Sequence, residues 1–203
     1  LAEFRKDPAA NPLKTPSGKI EIFSERIASF GYDDCPGHAT WFEPIEWLGA
    51  AKAKQYPLHM LSDQPNDKLH SQLDHSPHAR STKVRGRQPV TLHPADAAAR
   101  GIADGDLVRV YNDRGACLAG AKLSDRIRRG VVRLSTGAWF DPADTGSNQP
   151  LEKHGNPNAL TLDIGASKLS QGCIAQTCLV EIERFDGPAP AVTAHRVPAF
   201  APR

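Results

Sequence analysis

Between Val90 and Leu134 short apolar words are separated by turn chemistry at close intervals, and that spacing leaves few folds open. Val90-Thr91-Leu92 reads as a brief strand. Pro94 to Arg100 follows as a two-turn helix, with proline near its first position and Gly101 just past its end. Asp104-Gly105-Asp106 turns the chain into a strand from Leu107 to Tyr111. The hairpin turn Asn112-Asp113-Arg114-Gly115 closes that strand, and Cys117 to Leu123 answers it. A further run, Val131 to Leu134, leads through Ser135-Thr136-Gly137 to Ala138-Trp139-Phe140. Strands this short, with so few helices, predict a mainly β fold, either a small closed barrel or a sandwich.

Outside that stretch, Tyr56 opens a change of character. Pro57 to Ser62 reads as a buried strand that ends in the polar cluster Asp63-Gln64-Pro65-Asn66-Asp67, and Cys178 to Ile182 reads as a final strand. Earlier, the period-two pattern of Lys19 to Phe23 predicts a strand, and Ser24 to Phe30 a short helix ending at Gly31. Asp141 to Asn158 is a long loop rich in proline, glycine and asparagine, and loops of that length are functional or disordered. The expected organisation is an N-terminal arm over residues 1–55, a barrel domain over 56–187 and a tail over 188–203.

The 203 residues suffice for one domain with a real core. Leu1 in place of methionine and the polar, proline-bearing run from Arg5 to Pro16 suggest a piece excised from a longer protein. The net charge of +2 comes from scattered basic residues, which gives little support to nucleic-acid binding. Lys83, Arg85 and Arg87 alternate as a solvated strand edge or turn would. No apolar run approaches the roughly 20 residues that span a bilayer. Cys35, Cys117, Cys173 and Cys178 lack zinc or dithiol spacing and read as buried or half-buried free thiols. The compartment stays open.

Three blocks carry the chemistry: Lys68-Leu69-His70-Ser71-Gln72, Gly155-Asn156-Pro157-Asn158 and Gly172-Cys173-Ile174-Ala175-Gln176-Thr177. Each combines small residues, amides and hydroxyls with little that could act as a nucleophile. That composition suits wrapping a large polar ligand, because amides donate and accept at fixed geometry without adding charge. Gln64, Gln72, Asn158 and Gln176 are the amides of interest, Ser62, Ser71 and Thr177 the hydroxyls, and Lys68 a point charge suited to phosphate. Plainer readings stand beside these. Asn158 after proline also makes a turn, and His70 also serves as a satisfied structural histidine. Gln176, an amide in an apolar run, is expected to be buried and to need a partner.

Other chemistries fare worse. Asp74, His75 and Ser76 are sequence neighbours, which is no evidence for a triad assembled in space, and there is no Gly-x-Ser-x-Gly elbow. Gly165-Ala166-Ser167-Lys168 lacks the spacing of a phosphate loop. His70, His75 and His78 lack helical metal-ligand spacing, and Pro77 breaks a helix there, so no metal ligand is assigned.

The runs KLHSQL, HPADAAARGIADGDLVRVYNDRG, HGNPNALTLDIGASKLSQG and AQTCLVEIE, in that order, resemble the C-terminal cofactor-binding domain of the molybdenum S- and N-oxide reductases. That family includes the dimethyl sulfoxide, trimethylamine N-oxide and biotin sulfoxide reductases. The likeness extends from Thr15-Pro16-Ser17-Gly18 to about Gly187. It implies a six-stranded double-psi β-barrel. It also implies a bis-molybdopterin guanine dinucleotide cofactor, whose four dithiolene sulfurs hold molybdenum, and a serine from another domain to complete the metal shell. Ser62, Lys68, His70, Ser71, Gln72, Asn158 and Gln176 fall on the family's cofactor-contacting stretches, with Gln64 and Thr177 beside them. The expected partners are the remaining domains of the same reductase and a small S- or N-oxide substrate, so the piece alone is expected to be inactive. The competing reading is a non-catalytic barrel that binds a partner chain or a free nucleotide, since fold alone decides no function.

Overall fold

A computed structural model describes residues 1–143, 146 and 150–197. The chain forms two compact units, one of Leu1–Glu43 with Ile164–Gly172 and the other of Pro44–Asp163 with the chain from Cys173. Residues 144–145 and 147–149 of the long loop, and 198–203 of the tail, lie outside the described residues.

The first unit holds two short helices, α1 (Ala2–Lys6) and α2 (Glu25–Ala28). Helix α2 forms where the sequence predicts it, because the Ser24 hydroxyl accepts the Ile27 N–H and caps its start. The strand predicted over Lys19 to Phe23 does not form. A strand needs a neighbour, and here the local polar groups bond to one another instead, with the Thr15 hydroxyl donating to the Lys19 carbonyl. Ile20 and Ile22 are left exposed.

The second unit is a barrel. Its strands are β1 (Leu58–Leu61), β2 (Pro89–Leu92), β3 (Leu107–Tyr111), β4 (Ala116–Leu123), β5 (Val131–Leu134), β6 (Leu151–Glu152) and β7 (Thr177–Arg184). They run in the order β2-β5-β1-β7-β3-β4-β6, and β2 also pairs with β4, so six strands close on themselves and β6 flanks β4. Closure removes the sheet edges that strands this short could not protect singly. Two contacts in the ring are parallel, β1 with β5 and β2 with β4, and the rest are antiparallel. Leu58, Met60, Val90, Leu92, Val108, Val110, Val132, Leu134, Val180 and Ile182 point inward as one core.

Helices α3 (Pro77–Ser81) and α4 (Pro94–Ala98) each start on proline after a side-chain cap, from Ser76 and His93. Helix α4 stops short of its predicted length. Arg100 beyond it donates to Glu181 at 2.6 Å and to the Asp96 carbonyl at 3.0 Å.

The stretch 44–55, expected in the arm, belongs with the barrel because of Glu46. That carboxylate is buried, takes two Arg114 N–H groups at 2.7 and 2.9 Å, and accepts the Leu179 N–H at 2.8 Å. The described tail also joins this unit, through Arg87 to the Pro190 carbonyl and Thr193 to Asp141. Lys83 and Arg87, expected at a solvated edge, are therefore largely buried. Arg85 between them turns outward with φ of 49°.

Candidate functional site

Strands β1 and β5 run parallel and end together, and β7 begins beside them, with Leu61 opposite Thr177. That shared end is a rim on which Ser62-Asp63, Ser135-Thr136 and Gln176-Thr177 meet. The Ser62 N–H donates to the Gln176 carbonyl at 2.8 Å, the Thr136 N–H to the Asp63 carbonyl at 2.9 Å, and the Ser135 hydroxyl to the Asp63 carboxylate at 2.6 Å. Rigid strands thus hold polar loops at fixed positions, where binding residues commonly sit.

The Leu69 to Gln72 block folds into a tight turn, closed by Gln72 N–H to the Leu69 carbonyl. His70 and then Leu73 adopt left-handed φ values of 51° and 66°. Side chains resist that conformation, so the surrounding fold must impose it. The Gln64 amide nitrogen lies 2.9 Å from His70 Nδ1, which orients the imidazole.

A cleft of about 450 Å³ opens here, lined by His70 and Ser71, by Thr136 to Phe140, and by Asn156 and Asn158. Gly137 makes the close approach feasible. Its φ is 98°, and a β-carbon there would collide with the His70 carbonyl. Trp139 is pinned by its indole N–H, which donates to the Ser71 carbonyl at 2.7 Å. Asn156 donates its amide to the Ala138 carbonyl at 2.9 Å and accepts the Asn158 N–H at 2.9 Å. No carboxylate lines the cleft among the described residues, so its walls suit a neutral or anionic ligand.

Two buried carboxylates stand behind the walls. Asp74 is fully buried and takes Lys68 Nζ at 2.7 Å, Lys83 Nζ at 2.8 Å, His195 Nε2 at 3.0 Å and the Trp139 N–H at 3.2 Å. Burial alone would raise its carboxyl pKa, yet the two ammonium groups hold it far below the usual range. Among the described residues, Glu152 accepts only backbone N–H groups, from Asp141, His154, Gly155 and Asn156. Burial pushes it up to about 7. The donor atoms of Asp74, His154 and His195 converge within 4.8 Å. With two ammonium groups already on Asp74, that set does not fit a cation.

Of the sequence-predicted residues, the cleft gathers His70, Ser71 and Asn158, and Gln64 reaches it through His70. Ser62, Gln176 and Thr177 stand together at the rim, and Gln72 is exposed on the turn. Gln176 corrects the expectation that an amide in an apolar run is buried. It precedes the first residue of β7 and is exposed, and among the described residues only its carbonyl is engaged. Lys68 turns inward. Its ammonium is spent on Asp74 and, at 2.7 Å, on the Gln88 side-chain oxygen, so it does not present a charge to the cleft. Asp74 is committed to that ion network while His75 is exposed, which removes the triad. Sequence reading did not single out Thr136, Gly137 or Trp139, and it held Asn156 only as a member of the Gly155-Asn156-Pro157-Asn158 block. Their signal was the Ser-Thr-Gly step directly after a strand and the first asparagine of the Asn-Pro-Asn run.

Residues 58–179 match the model of the Molydopterin dinucleotide binding domain family. The chain is 50% identical over 200 residues to the dimethyl sulfoxide/trimethylamine N-oxide reductase of Rhodobacter capsulatus, covering 98% of this chain and 24% of that protein. It is 52% identical over 192 residues to trimethylamine-N-oxide reductase 1 of Escherichia coli (strain K12), covering 94% and 23%. It is 52% identical over 189 residues to the biotin sulfoxide reductase of Cereibacter sphaeroides, covering 93% and 25%. Among solved structures, acetylene hydratase from Pelobacter acetylenicus superposes with a TM-score of 0.67 at 20% identity, over 88% of this chain and 25% of that one. The last likeness concerns the fold. The chain spans about a quarter of the length of these relatives.

Proposed function

Because the chain belongs to the Molydopterin dinucleotide binding domain family, we propose that it holds molybdopterin guanine dinucleotide as the cofactor-binding part of a molybdenum S/N-oxide reductase. The observation that carries this reading is the rim cleft, which His70, Ser71, Gly137, Asn156 and Asn158 line without a carboxylate among the described residues. Such walls fit a fused-ring hydrogen-bonding edge and a pyrophosphate better than a compact metal or a nucleophilic reaction.

Asn158 and Ser71 would donate to and accept from the ligand's polar edges, and His70, fixed by Gln64, would supply an oriented imidazole. Trp139 and Phe140 would exclude water from one side. Ser62, Gln64, Gln72, Gln176 and Thr177 are proposed as further contacts along the rim, and Lys68 as support from beneath, through Asp74. When bound, the cofactor supplies the two-electron chemistry of oxygen-atom transfer, and the protein supplies binding, orientation and electrostatics. The proposed partners are the other domains of the same reductase and a small sulfoxide or amine N-oxide.

Replacing Asn158 or Ser71 with alanine tests the reading. Each change leaves ligand groups unpaired at a cost of about 1 to 3 kcal/mol, so pterin dinucleotide content per folded protein should fall about fivefold to a hundredfold. Unchanged content in both folded variants would contradict the cleft as the binding site. Recovery of a nucleotide without pterin from the wild type would favour the plain nucleotide-binding module.

A further inference from the structure

Glu152 is completely buried, and its two oxygens collect four backbone N–H groups. Oε1 accepts from Asp141 at 3.1 Å and His154 at 3.0 Å, and Oε2 accepts from Gly155 and Asn156 at 2.7 Å each. The residue sits on β6 with Cys117 opposite it on β4, so the barrel fixes its backbone. The loop it gathers is the one that carries Asn156 and Asn158 to the cleft. Gly155, at φ of 91°, lies so close to Gln88 that a β-carbon would press on it, so the loop has little slack.

The charged neighbours do not substitute for those N–H groups. Arg87 acts on the carboxylate through space, without an ion pair among the described residues. The Asp141 carboxylate is engaged by Thr193 and by Lys153 at 3.3 Å. The Cys117 thiol is pushed well up by burial and stays neutral. Burial and nearby Lys83 pull His154 down to about 4, so its imidazole is neutral too.

We infer that Glu152 is a positioning residue for the dinucleotide cleft, holding the Asn156–Asn158 wall in place when ionised and loosening it when protonated. The inference rests on the reading of the cleft as the cofactor site. A proton on either oxygen faces two N–H donors, so at least one of those donors loses its acceptor. Because burial pushes the carboxyl up to about 7, this change falls within a range where the protein can be handled. The sign for global stability is opposite. A carboxyl raised in the folded state favours folding below its unfolded pKa, and that contribution is lost as pH rises towards about 7. Acidification should therefore loosen the wall without weakening the fold through this group.

The test uses the full-length protein, wild type and Glu152→Gln, which keeps the shape but presents an amide to two of the donors. Two quantities are followed between about pH 6 and 8: the release rate of bound pterin dinucleotide, and amide-exchange protection at His154, Gly155 and Asn156. In the wild type, release should quicken about tenfold and protection should fall as pH drops through about 7. Glu152→Gln should release quickly at every pH, with low and flat protection. A folded Glu152→Gln with wild-type release and protection would overturn the inference. If that variant does not fold, the wild type decides alone. Its infrared carboxyl band should appear in step with the loss of protection, and protection that stays flat while the carboxyl titrates would overturn the inference. A wild type that holds no dinucleotide would instead sink the functional reading, and the amide data would still show whether Glu152 clamps the loop.

Discussion

Gly137 is the position where the cleft tolerates least change. Its φ of 98° and the carbonyl of His70 against it leave room for hydrogen only. Gly137→Ala should cost on the order of 1–3 kcal/mol from backbone strain, with further loss from the collision, and it should widen or collapse the cleft. Chemical denaturation measures the first effect and dinucleotide content the second. A variant as stable as the wild type would show that the turn can relax. Gln176 makes the contrast. Its side chain is exposed, so Gln176→Ala should change stability by less than about 0.5 kcal/mol while lowering dinucleotide content. Equal loading in the folded variant would make this glutamine a surface residue without a ligand role. Residue types were legible here, but directions were not. The amides and hydroxyls of the three blocks marked a polar cradle, while burial of Lys68 against Asp74 and exposure of Gln176 depend on neighbours that no local pattern carries.

Among elements, β3 and β5 run as the alternation and turn residues predict, because each is bounded by residues that stop a strand for local reasons. Closure of the ring by β2 against β4 could not be read, since barrel and sandwich share the same strand words. The unpaired stretch at Lys19 to Phe23 shows the converse, a strand pattern without a neighbouring strand. Glu46 is a similar case. It stands in a proline-bearing run that reads as a linker, yet it packs against residues far along the chain. Burial opposes its charge, but Arg114 and Lys52 hold its pKa down to about 2. Its stabilising contribution is present above the unfolded carboxyl value and is lost as pH falls towards about 2. Glu46→Gln should cost about 2–4 kcal/mol, less than a fully buried pair because the Arg114 side chain is 21% exposed, and should flatten the acid limb of the stability curve. An unchanged acid limb would show that the pair contributes nothing.

At the scale of the whole molecule, the closed barrel sets two of its buried carboxylates, Asp74 and Glu152, in opposite characters, one locked ionised by ammonium groups and one held by backbone N–H groups. Neither arrangement needs a metal, so melting with a strong chelator should match melting without it. A large drop in the midpoint would reopen the Asp74, His154 and His195 set as a cation site. This chain spans about a quarter of the length of its relatives, and on the proposed function the barrel orients the cofactor that carries the reaction. The most direct measurement is an experimental structure of the full-length protein with its pterin dinucleotide bound. The account predicts the ligand between His70-Ser71 and Asn156-Asn158, beside Gly137. Density for the dinucleotide elsewhere, with this cleft filled only by water, would contradict it.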